Sequence, residues 1–461
     1  MNAALEAARS ALAGQPVWVV GGAVRDRLLG RETDDVDLAV DGDVRSAART
    51  LARSAAGTAF PLSEAWGAWR VIGPRRAWQA DLVGLEEGSL EVDLARRDFT
   101  VNAMAQRLED DEVVDPLGGA EDLAARRLRA TRSDAFDHDP LRVLRLARLA
   151  CELRFAPDEE TVSAARARAP RLPDVAQERV FSELKRIVAA PAALEGVALM
   201  TAVGATDAIL PELGALRGVE QSAYHHLDVH DHTLAVLAAV IDLERDPTPL
   251  GEHAAAVGAL LSEPLADDLT RAQSLRFGAL LHDAAKPATR GVTATGRVTF
   301  IGHDVAGAQL AHAILTRLRA SERLAAHVAA LTRNHLRLGF LVHHVPLDRR
   351  AVYRYLRACE PVEVDVTVLS VADRLATRGR KADEAIAKHL ELARQLLGEA
   401  LRWRAWRAQP ALVRGDELAA QLGLAPGPEI GRVLDALDEA RFAGEVGNRE
   451  EALALARRMG G

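Results

Sequence analysis

Cysteine and long apolar runs are scarce in this chain. Only two cysteines occur, Cys151 and Cys359, and they lie far apart, which excludes a disulfide framework and a cysteine-based zinc site. No window holds ~18 uninterrupted apolar residues, so we expect no membrane span. The N-terminal segment carries Glu6 and Arg9 within its apolar run, so a signal peptide is not expected. The sequence therefore predicts a reduced, cytoplasmic protein.

The composition is that of a folded protein with locally concentrated basic residues. Hydrophobic residues make up 49% and charged residues 27% of the chain, which excludes disordered, collagen-like and coiled-coil proteins. The formal charge is −8, yet residues 374–407 contain nine lysines or arginines against four acidic residues. Phosphate binding depends on where cations cluster. This segment can therefore bind nucleic acid, although a solvated helix face explains it equally well.

Strand signals are confined to the first part of the chain. Short apolar runs at 17–20, 69–73 and 78–85 are typical of strands, whereas the sequence after about residue 120 has the three-to-four spacing of helices. We predict an α+β fold in four parts: a small N-terminal mixed β-sheet head (residues 1–120), an all-α body (121–220), a histidine-rich helical domain (221–375) and a helical tail (376–461).

Two aspartates, Asp35 and Asp37, are separated by one residue in a strand-like segment. Residues i and i+2 of a strand point to the same face, so both carboxylates project together. Such a pair repels itself unless a cation lies between the two groups, and Mg²⁺ shared with substrate phosphates suits hard oxygen ligands. Two surface acids on an edge strand remain the alternative.

The residues just upstream favour phosphate binding. A strand runs into Gly21-Gly22 and a helix start, where backbone N–H groups can approach a phosphate, and Arg25 lies one turn into the helix. Neither G-x-x-x-x-G-K-[ST] nor G-x-G-x-x-G is present, which excludes a P-loop and disfavours a dinucleotide fold. This arrangement predicts metal-dependent nucleotidyl transfer. Asp81 is the candidate third carboxylate, with a solvent-facing strand acid as the alternative.

A further group of polar residues is suited to nucleotide recognition. Arg97, Asp98 and Asn102 precede a predicted helix and can hold ribose and phosphate. Asp139 and Arg142 lie three apart at a helix start and share a face. Together they can pair with the base edge of cytosine or adenine and reject uracil and guanine. An N-cap aspartate in an i,i+3 salt bridge is the alternative.

Histidines cluster between residues 225 and 344. The order His, His-Asp, His, His, Asp on separate predicted helices allows convergence on a divalent metal, with Asp283 bridging to a second one. The six residues are His232, His282, Asp283, His303, His335 and Asp373. We expect the following histidines to be structural or solvent-facing: His225, His226, His230, His312, His327, His343 and His344.

Several longer segments, taken in order, resemble one known family. They are GGAVRDRLLGRETDDVDLAV, DLARRDFTVNAMA, VDPLGGAEDLAARRLRA, HDPLRVLRLARLACELRF and QERVFSELKRI. The series closely resembles the motifs of bacterial class II tRNA nucleotidyltransferases, the CCA-adding family of the DNA polymerase β superfamily. The resemblance is dense over about residues 15–190.

The resemblance implies a role for each matching residue. Asp35 and Asp37 match the Mg²⁺ carboxylates, and Asp81 is the candidate third catalytic carboxylate. The nucleotide-binding residues that it implies are Gly21, Gly22, Arg25, Arg97, Asp98, Asn102, Asp139, Arg142 and Arg145. The family usually has Glu immediately before the template aspartate. This chain has His138 there, so the support of that aspartate is expected to differ.

The segment between Asp81 and Arg96 is short, with 14 residues. Family members that add all of CCA are longer here, with a flexible loop that helps the site to switch from C to A, whereas members resembling the CC-adding branch lack it. Re-aiming a template needs a mobile element with two states. We therefore predict CC addition from CTP, with complete CCA addition from CTP and ATP, or a poly(A) polymerase with the same head, as alternatives.

The histidine pattern resembles the signature of HD-domain phosphohydrolases, which some members of this family carry. The resemblance implies a divalent transition metal and hydrolysis of a phosphoester, such as a 2′,3′-cyclic or 3′-terminal phosphate on damaged RNA ends. Lys286, which follows the His-Asp pair, is expected to orient phosphate. An HD hydrolase whose nucleotide-binding head does not catalyse is the alternative from a different class.

The predicted partners are therefore tRNA and CTP. Asp81 is expected to accept the proton of the tRNA 3′-hydroxyl. We expect the helical body and tail to hold tRNA by its shape, through phosphate and 2′-OH contacts. In the tail, Gly427 and Pro428 open a predicted helix whose N-terminus can contact a backbone phosphate, although a packing turn explains them as well.

Overall fold

The computed structural model describes residues 3–31, 35–63, 67–221, 226–378, 382–423, 425 and 427–459. His225, which we expected to be structural or solvent-facing, lies outside these residues, as do Arg380 and Lys381 of the basic tail segment. The chain forms two compact units, Met1–Ile209 and Leu210–Gly461. The four-part division predicted from the sequence stays a prediction.

The first unit contains a seven-stranded mixed sheet, which confirms the predicted α+β head. Its strands are β1 (Val17–Val20), β2 (Asp35–Val40), β3 (Thr58–Ser63), β4 (Ala68–Ile72), β5 (Gln79–Gly84), β6 (Ala105–Arg107) and β7 (Val113–Val114). Their order is β3-β4-β5-β2-β1-β6-β7. Strands β2 and β5 pair in parallel, whereas the other neighbouring pairs of this sheet are antiparallel.

Helices cover the sheet and continue the first unit beyond it. They are α1 (Ala3–Ala11), α2 (Gly22–Leu28), α3 (Val44–Ser54), α4 (Leu90–Ala95), α5 (Gly119–Ala124), α6 (Ala135–His138), α7 (Arg142–Leu153), α8 (Glu159–Arg168), α9 (Gln177–Ala189), α10 (Ala193–Ala202) and α11 (Ala205–Ile209). Strands β8 (Arg127–Leu128) and β9 (Ala156–Pro157) form a separate short pair. The Ser89 hydroxyl caps α4, whose Leu90 and Leu94 pack on the core beside β1 and β6.

The second unit is mainly helical, as the sequence predicts. Its helices are α12 (Pro211–Gly214), α13 (Val229–Arg245), α14 (Ala254–Leu261), α15 (Arg271–Leu281), α16 (Lys286–Thr289), α17 (His303–Arg317), α18 (Glu322–Asn334), α19 (Arg337–Leu341), α20 (Arg349–Cys359), α21 (Glu363–Ala376), α22 (Ala382–Arg407), α23 (Gly415–Leu422), α24 (Pro428–Ala443) and α25 (Arg449–Met459). Its short strand pairs are β10 (Pro264–Ala266) with β11 (Leu269–Thr270), and β12 (Gly291–Val292) with β13 (Val298–Thr299).

Both cysteines are free and buried. Burial raises the pKa of the Cys151 and Cys359 thiols to about 12, so neither is suited to thiolate chemistry. In the described part of the chain, none of the helices is long and apolar enough to cross a membrane.

Candidate active sites

Three carboxylates lie side by side on the central strands of the sheet. Asp37 of β2 is directly opposite Asp81 of the parallel strand β5. Asp35 and Asp37 are both exposed, whereas Val36 between them is buried. The two aspartates therefore share one face, and the strand register adds Asp81 beside them.

The glycine turn brings the backbone close to these carboxylates. Gly21 has φ +73°, and a Cβ atom built on it would lie 2.8 Å from Nη1 of Arg97 and 3.5 Å from Oδ2 of Asp37. A side chain here would be strained in its backbone and would collide with Arg97. Helix α2 begins at Gly22, so its positive end adjoins the carboxylates.

The charges of the three aspartates oppose one another. Although Asp37 is on the exposed face of β2, the surrounding protein partly desolvates its carboxylate and raises its pKa; the Arg97 guanidinium counteracts this, and the carboxylates of Asp81 and Asp35 add to it. Crowded oxygen ligands are stabilised by a hard divalent cation. This donor set therefore fits Mg²⁺, which when bound would neutralise both the aspartates and the phosphates of a nucleotide.

Asp81 is held by an arginine from the next strand. Nε and Nη2 of Arg70 on β4 each donate to one oxygen of Asp81 at 2.7 Å. This bidentate geometry orients the carboxylate, so Asp81 is not a freely solvated strand acid. Arg70 belongs to none of the sequence motifs described above, because its position opposite Asp81 follows only from the strand register.

Asp98 is the buried centre of the predicted nucleotide-binding group. It accepts two hydrogen bonds from Arg145, at 2.8 and 2.6 Å, and one from the Asn102 amide at 3.0 Å. Burial disfavours its charge, but Arg145 and Asn102 hold the pKa of Asp98 well below its usual range. Oδ1 of Asn102 in turn accepts a hydrogen bond from Arg25 at 2.6 Å. Asp98 is therefore a charged anchor for residues that border the glycine turn.

Asp139 is supported by a residue that the sequence analysis did not single out. Its Oδ2 accepts a hydrogen bond from Nη2 of Arg179 on α9 at 2.7 Å, and its Oδ1 accepts one from the Leu141 N–H at 3.1 Å. His138, which stands where the family usually has Glu, is exposed, and its Nε2 lies 3.5 Å from Oδ2 of Asp134. Arg179 lies within the family motif QERVFSELKRI, and this was the only indication in the sequence that Arg179 could belong to the site.

Arg142 is fixed by backbone carbonyl groups. Its guanidinium donates to the carbonyl oxygens of Arg96, Arg97 and Ala135 at 2.7 to 3.1 Å. Arg142 and Asp139 therefore do not form the i,i+3 salt bridge that was the alternative. Backbone carbonyl groups hold Arg142, and Arg179 and the Leu141 N–H hold Asp139. Both can then present their polar atoms to a third group, such as a nucleobase.

These residues line one arginine-rich cleft of about 520 Å³. Eight arginines and four aspartates contribute to its walls. The fifteen lining residues comprise all nine predicted nucleotide-binding residues together with Asp37, and additionally Asp93, Arg96, Arg148, Arg179 and Arg186. An excess of arginine in a cleft beside clustered carboxylates suits a triphosphate.

A second cluster of metal-ligand side chains lies in the second unit. All six predicted residues meet there: His232, His282, Asp283, His303, His335 and Asp373. Asp283 belongs to two groups whose ligand atoms lie within 4.8 Å of one another, one with His232 and His282 and the other with His303 and His335. This double membership is what a bridging carboxylate requires.

The backbone orients three of the histidine rings. In each ring, Nδ1 lies close to the carbonyl oxygen three residues earlier. The distances are 2.8 Å for His282, 2.6 Å for His303 and 2.7 Å for His335. A carbonyl only accepts, so Nδ1 carries a hydrogen, and Nε2 is the atom that can bind a metal once it is deprotonated. In the part of the chain that the structure describes, the buried Nε2 of His303 has no hydrogen-bond partner. The site therefore fits divalent metal.

The carboxylates of this cluster are ionised. Despite burial, His282 and Lys286 hold the pKa of Asp283 well below its usual range. Nζ of Lys286 lies 2.6 Å from Oδ2 of Asp283 and donates to Gln221 at 2.7 Å. Lys286 thus holds the Asp283 carboxylate, which the two candidate ligand groups share. Burial lowers the pKa of His335 to about 4, which keeps the ring neutral, as a metal ligand must be.

The other histidines occupy varied surroundings. His226, His343 and His344 are exposed, His312 is partly exposed, and His230 and His327 are buried. Burial lowers the pKa of His327 to about 4, so it is a neutral core residue. His230 lies beside Asp228 and Asp231 at the start of α13.

The basic segment of the tail is less free than its sequence suggests. Several of its cations pair with acids of the same unit, such as Lys388 with Glu384 and Arg402 with Glu399. Arg407 is also paired, with Asp438 at 3.2 Å. Such pairs offset much of the local positive charge.

Family models match three parts of the chain. The model described as Poly A polymerase head domain matches residues 17–75 and 72–129. The model described as a probable RNA and SrmB-binding site of polymerase A matches residues 154–216, and the HD domain model matches residues 229–378.

Curated relatives align along almost the whole chain. An A-adding tRNA nucleotidyltransferase of Deinococcus radiodurans is 40% identical over 446 residues, covering 95% of this chain and 94% of the relative. A CC-adding tRNA nucleotidyltransferase of Thermus thermophilus is 36% identical, covering 95% and 92%. A CC-adding enzyme of Geobacter sulfurreducens is 31% identical, covering 95% and 91%.

Solved structures share the fold. A Thermotoga maritima CCA-adding enzyme complexed with tRNA matches with a TM-score of 0.63 at 18% identity, over 99% of this chain and 94% of that one. A CCA-adding enzyme with CTP matches with a TM-score of 0.64 at 18% identity, over 98% and 94%.

Proposed function

The chain belongs to the tRNA nucleotidyltransferase family, and we propose that it adds CMP residues to the 3′ end of tRNA to give a terminal CC. CTP would be the donor and pyrophosphate the leaving group. The observation that carries this proposal is the meeting of Asp35, Asp37 and Asp81 with the glycine turn and the arginine-rich cleft.

Each group of residues has a separate task in this reaction. Asp35 and Asp37 would hold Mg²⁺, while the start of α2 and Arg25 bind the triphosphate. Asp81, oriented by Arg70, accepts the proton of the tRNA 3′-hydroxyl. The new bond joins that oxygen to the α-phosphorus, and the bond to pyrophosphate breaks in line with it.

Base selection falls to Asp139 and Arg142. The carboxylate accepts from the cytosine N4 amino group, and the guanidinium donates to O2 and N3. Uracil presents a carbonyl to the carboxylate, which leaves two acceptors facing each other. The separate supports of the two side chains favour a fixed template.

The short connection after β5 favours CC addition. Strand β5 ends at Gly84 and α4 begins at Leu90, with a single 3₁₀ turn at Glu86–Gly88 between them. Leu90 and Leu94 are buried in the core, so this connection offers little freedom to re-aim a template. The Deinococcus relative is named for A addition, which favours addition of the last A as the second candidate.

Primer extension with CTP and ATP offered separately distinguishes these candidates. We expect CMP incorporation into tRNA lacking CCA, its loss in Asp35→Ala, and no efficient AMP addition to tRNA ending in CC. Efficient AMP addition would instead assign an A-adding or complete CCA-adding enzyme. Extension of an unstructured RNA as readily as tRNA would assign a poly(A) polymerase, and absence of incorporation would leave the HD site as the chief activity.

The second unit supports a phosphohydrolase as an additional function. The six converging ligands with a bridging Asp283 suit activation of water against a phosphoester, such as a cyclic phosphate at an RNA 3′ end. We expect metal-loaded protein to hydrolyse 2′,3′-cyclic CMP and His282→Ala to lose this activity. Equal turnover by the variant would exclude the site, and partly exposed His312→Ala is the matched control.

The four-part division assigns these tasks along the chain. The head (1–120) would carry the transfer chemistry, the body (121–220) the base template, residues 221–375 the HD site, and the tail (376–461) tRNA binding. The ion pairs of the tail leave shape recognition, through phosphate and 2′-OH contacts, as its main means of holding tRNA.

A further inference from the structure

One row of paired residues crosses the sheet through the carboxylates. From β2 to β3 the directly opposite positions are Asp37, Asp81, Arg70 and Phe60. Directly opposite residues of neighbouring strands point to the same face, and strands lie about 4.8 Å apart. Arg70 and Phe60 therefore extend the carboxylate face by one and two strands beyond Asp81.

The two halves of this face differ in their cover. On the side of β1 and β6, Leu90 and Leu94 of α4 close the face. On the side of β4 and β3, Phe60 is 37% exposed. Helix α3 packs on the opposite face of these strands, where Arg49 lies over the ring of Trp69. Among residues 35–63 and 67–84, which the structure describes here, Phe60 thus leaves part of the half beyond Asp81 accessible to solvent.

The direction of the reaction assigns the open half to the primer. The nucleotide-binding residues, such as Gly21 and Asp98, lie on the covered side. In an in-line displacement the attacking and leaving oxygens are on opposite sides of the phosphorus. The 3′-hydroxyl must therefore approach from the other side of the carboxylates, where Arg70 and Phe60 lie.

We propose that Arg70 and Phe60 form the subsite for the last nucleotide of the RNA primer, with Arg70 on its phosphate and Phe60 beneath its base. This rests on the proposed transfer at Asp35 and Asp37. Arg70 uses Nε and Nη2 for Asp81, and Nη1, which neither of these bonds uses, would contact the phosphate. Stacking on an aromatic ring tolerates any base, which suits a primer whose last base changes after the first addition.

The stacking contact is tested by combining a protein variant with a modified primer. Phe60→Ala is expected to raise the KM and the Kd for tRNA lacking CCA by about five- to tenfold, and Phe60→Tyr to restore both. The KM for CTP stays unchanged. When the last primer residue is abasic, Phe60→Ala produces no further loss. Val113→Ala, at 38% exposure on the opposite edge of the sheet, is the matched control.

The phosphate contact is tested by salt dependence. Arg70→Gln is expected to weaken tRNA binding and to lower the slope of log Kd against log salt by about 0.7 to 0.9, the loss of one phosphate contact. Arg70→Lys retains most of the slope. Arg49→Gln, on the opposite face of the sheet, leaves it unchanged.

The outcomes separate this subsite from the proposed activity. The wild type could bind tRNA tightly through Phe60 and yet incorporate no CMP. This result would contradict the proposed activity but would still support the proposed subsite. Normal incorporation with Phe60→Ala unchanged would overturn the subsite alone. Equal losses by Phe60→Ala on ordinary and abasic primers would also overturn it, since they would indicate a structural effect.

Discussion

The carboxylate of Asp139 forms an ion pair of 2.7 Å with Arg179 of α9 inside the arginine-rich cleft. This pair orients one half of the proposed base template. We expect Arg179→Ala to reduce discrimination between CTP and UTP by about five- to tenfold, because Asp139 loses its fixed direction. This discrimination is measured as the ratio of kcat/KM for CTP to kcat/KM for UTP. Arg171→Ala, an exposed arginine nearby in sequence, should leave the ratio unchanged.

Gly21 is required both for its backbone angle and for the space beside it. Gly14 has nearly the same φ, +74° against +73°, but a Cβ there would meet no atom within 4 Å. Both Gly→Ala variants should lose unfolding free energy through backbone strain, and Gly21→Ala should lose more than the roughly 1–2 kcal/mol typical of a left-handed helical residue, because ψ at Gly21 is −137°. Only Gly21→Ala should also lose CMP incorporation. Equal activity in the two variants would contradict the role of the turn.

Periodicity and register explain what the sequence could predict here. The two-residue repeat of a strand was enough to place Asp35 and Asp37 on one face, and the order of histidines was enough to indicate the HD cluster. Arg70 and Arg179 escaped prediction because each contacts its aspartate through strand pairing or helix packing, which no local pattern records.

The same limit applies to charge. The sum of basic residues in the tail indicated a phosphate-binding segment, but the pairing of Arg407 with Asp438 depends on how α22 and α24 pack. Lys286 was expected to orient phosphate, and only the folded cluster reveals its contact with Asp283.

Removal of the Asp37 charge should increase the stability of the protein and reduce its activity. Desolvation raises the pKa of Asp37 in the native state, so the unfolded state loses this proton at a lower pH than the native state does. The free energy of unfolding therefore falls as the pH rises from 3.8 towards the native pKa. Because Asp37 is exposed, solvent screens much of this effect, and we expect Asp37→Asn to raise the Tm in metal-free buffer only slightly. CMP incorporation should fall on the order of a thousandfold. Asp41→Asn, an exposed neighbour, should change neither.

The bridging position of Asp283 predicts two metals per chain. His303→Ala should reduce the metal content from two equivalents to one, because His232 and His282 still hold the first site. Elemental analysis after dialysis measures the stoichiometry, and a thermal shift on metal addition gives an independent readout. His312→Ala should retain two equivalents. An unchanged content in His303→Ala would exclude this residue as a ligand.

His327 provides a test of acid stability away from both metal sites. Burial lowers its pKa from 6.5 to about 4, while Asp365 favours its protonation and Arg271 and Arg323 oppose it. The native state therefore binds fewer protons than the unfolded chain between these values. Stability is lost as the pH falls from 6.5 to about 4, and the contribution of this group is roughly 3 kcal/mol.

We expect His327→Gln to remove this part of the pH dependence. Its unfolding free energy should run parallel to that of the wild type above pH 6.5 and then fall less steeply, so that the difference between the two narrows by roughly 3 kcal/mol near pH 4. Burial also lowers the pKa of His389 to about 4, but this group is present in both proteins and cancels in the comparison. Denaturant titrations at several pH values measure the difference, with partly exposed His312→Gln as the control. Curves that stay parallel to pH 4 would mean that His327 is not the neutral core residue that its surroundings imply.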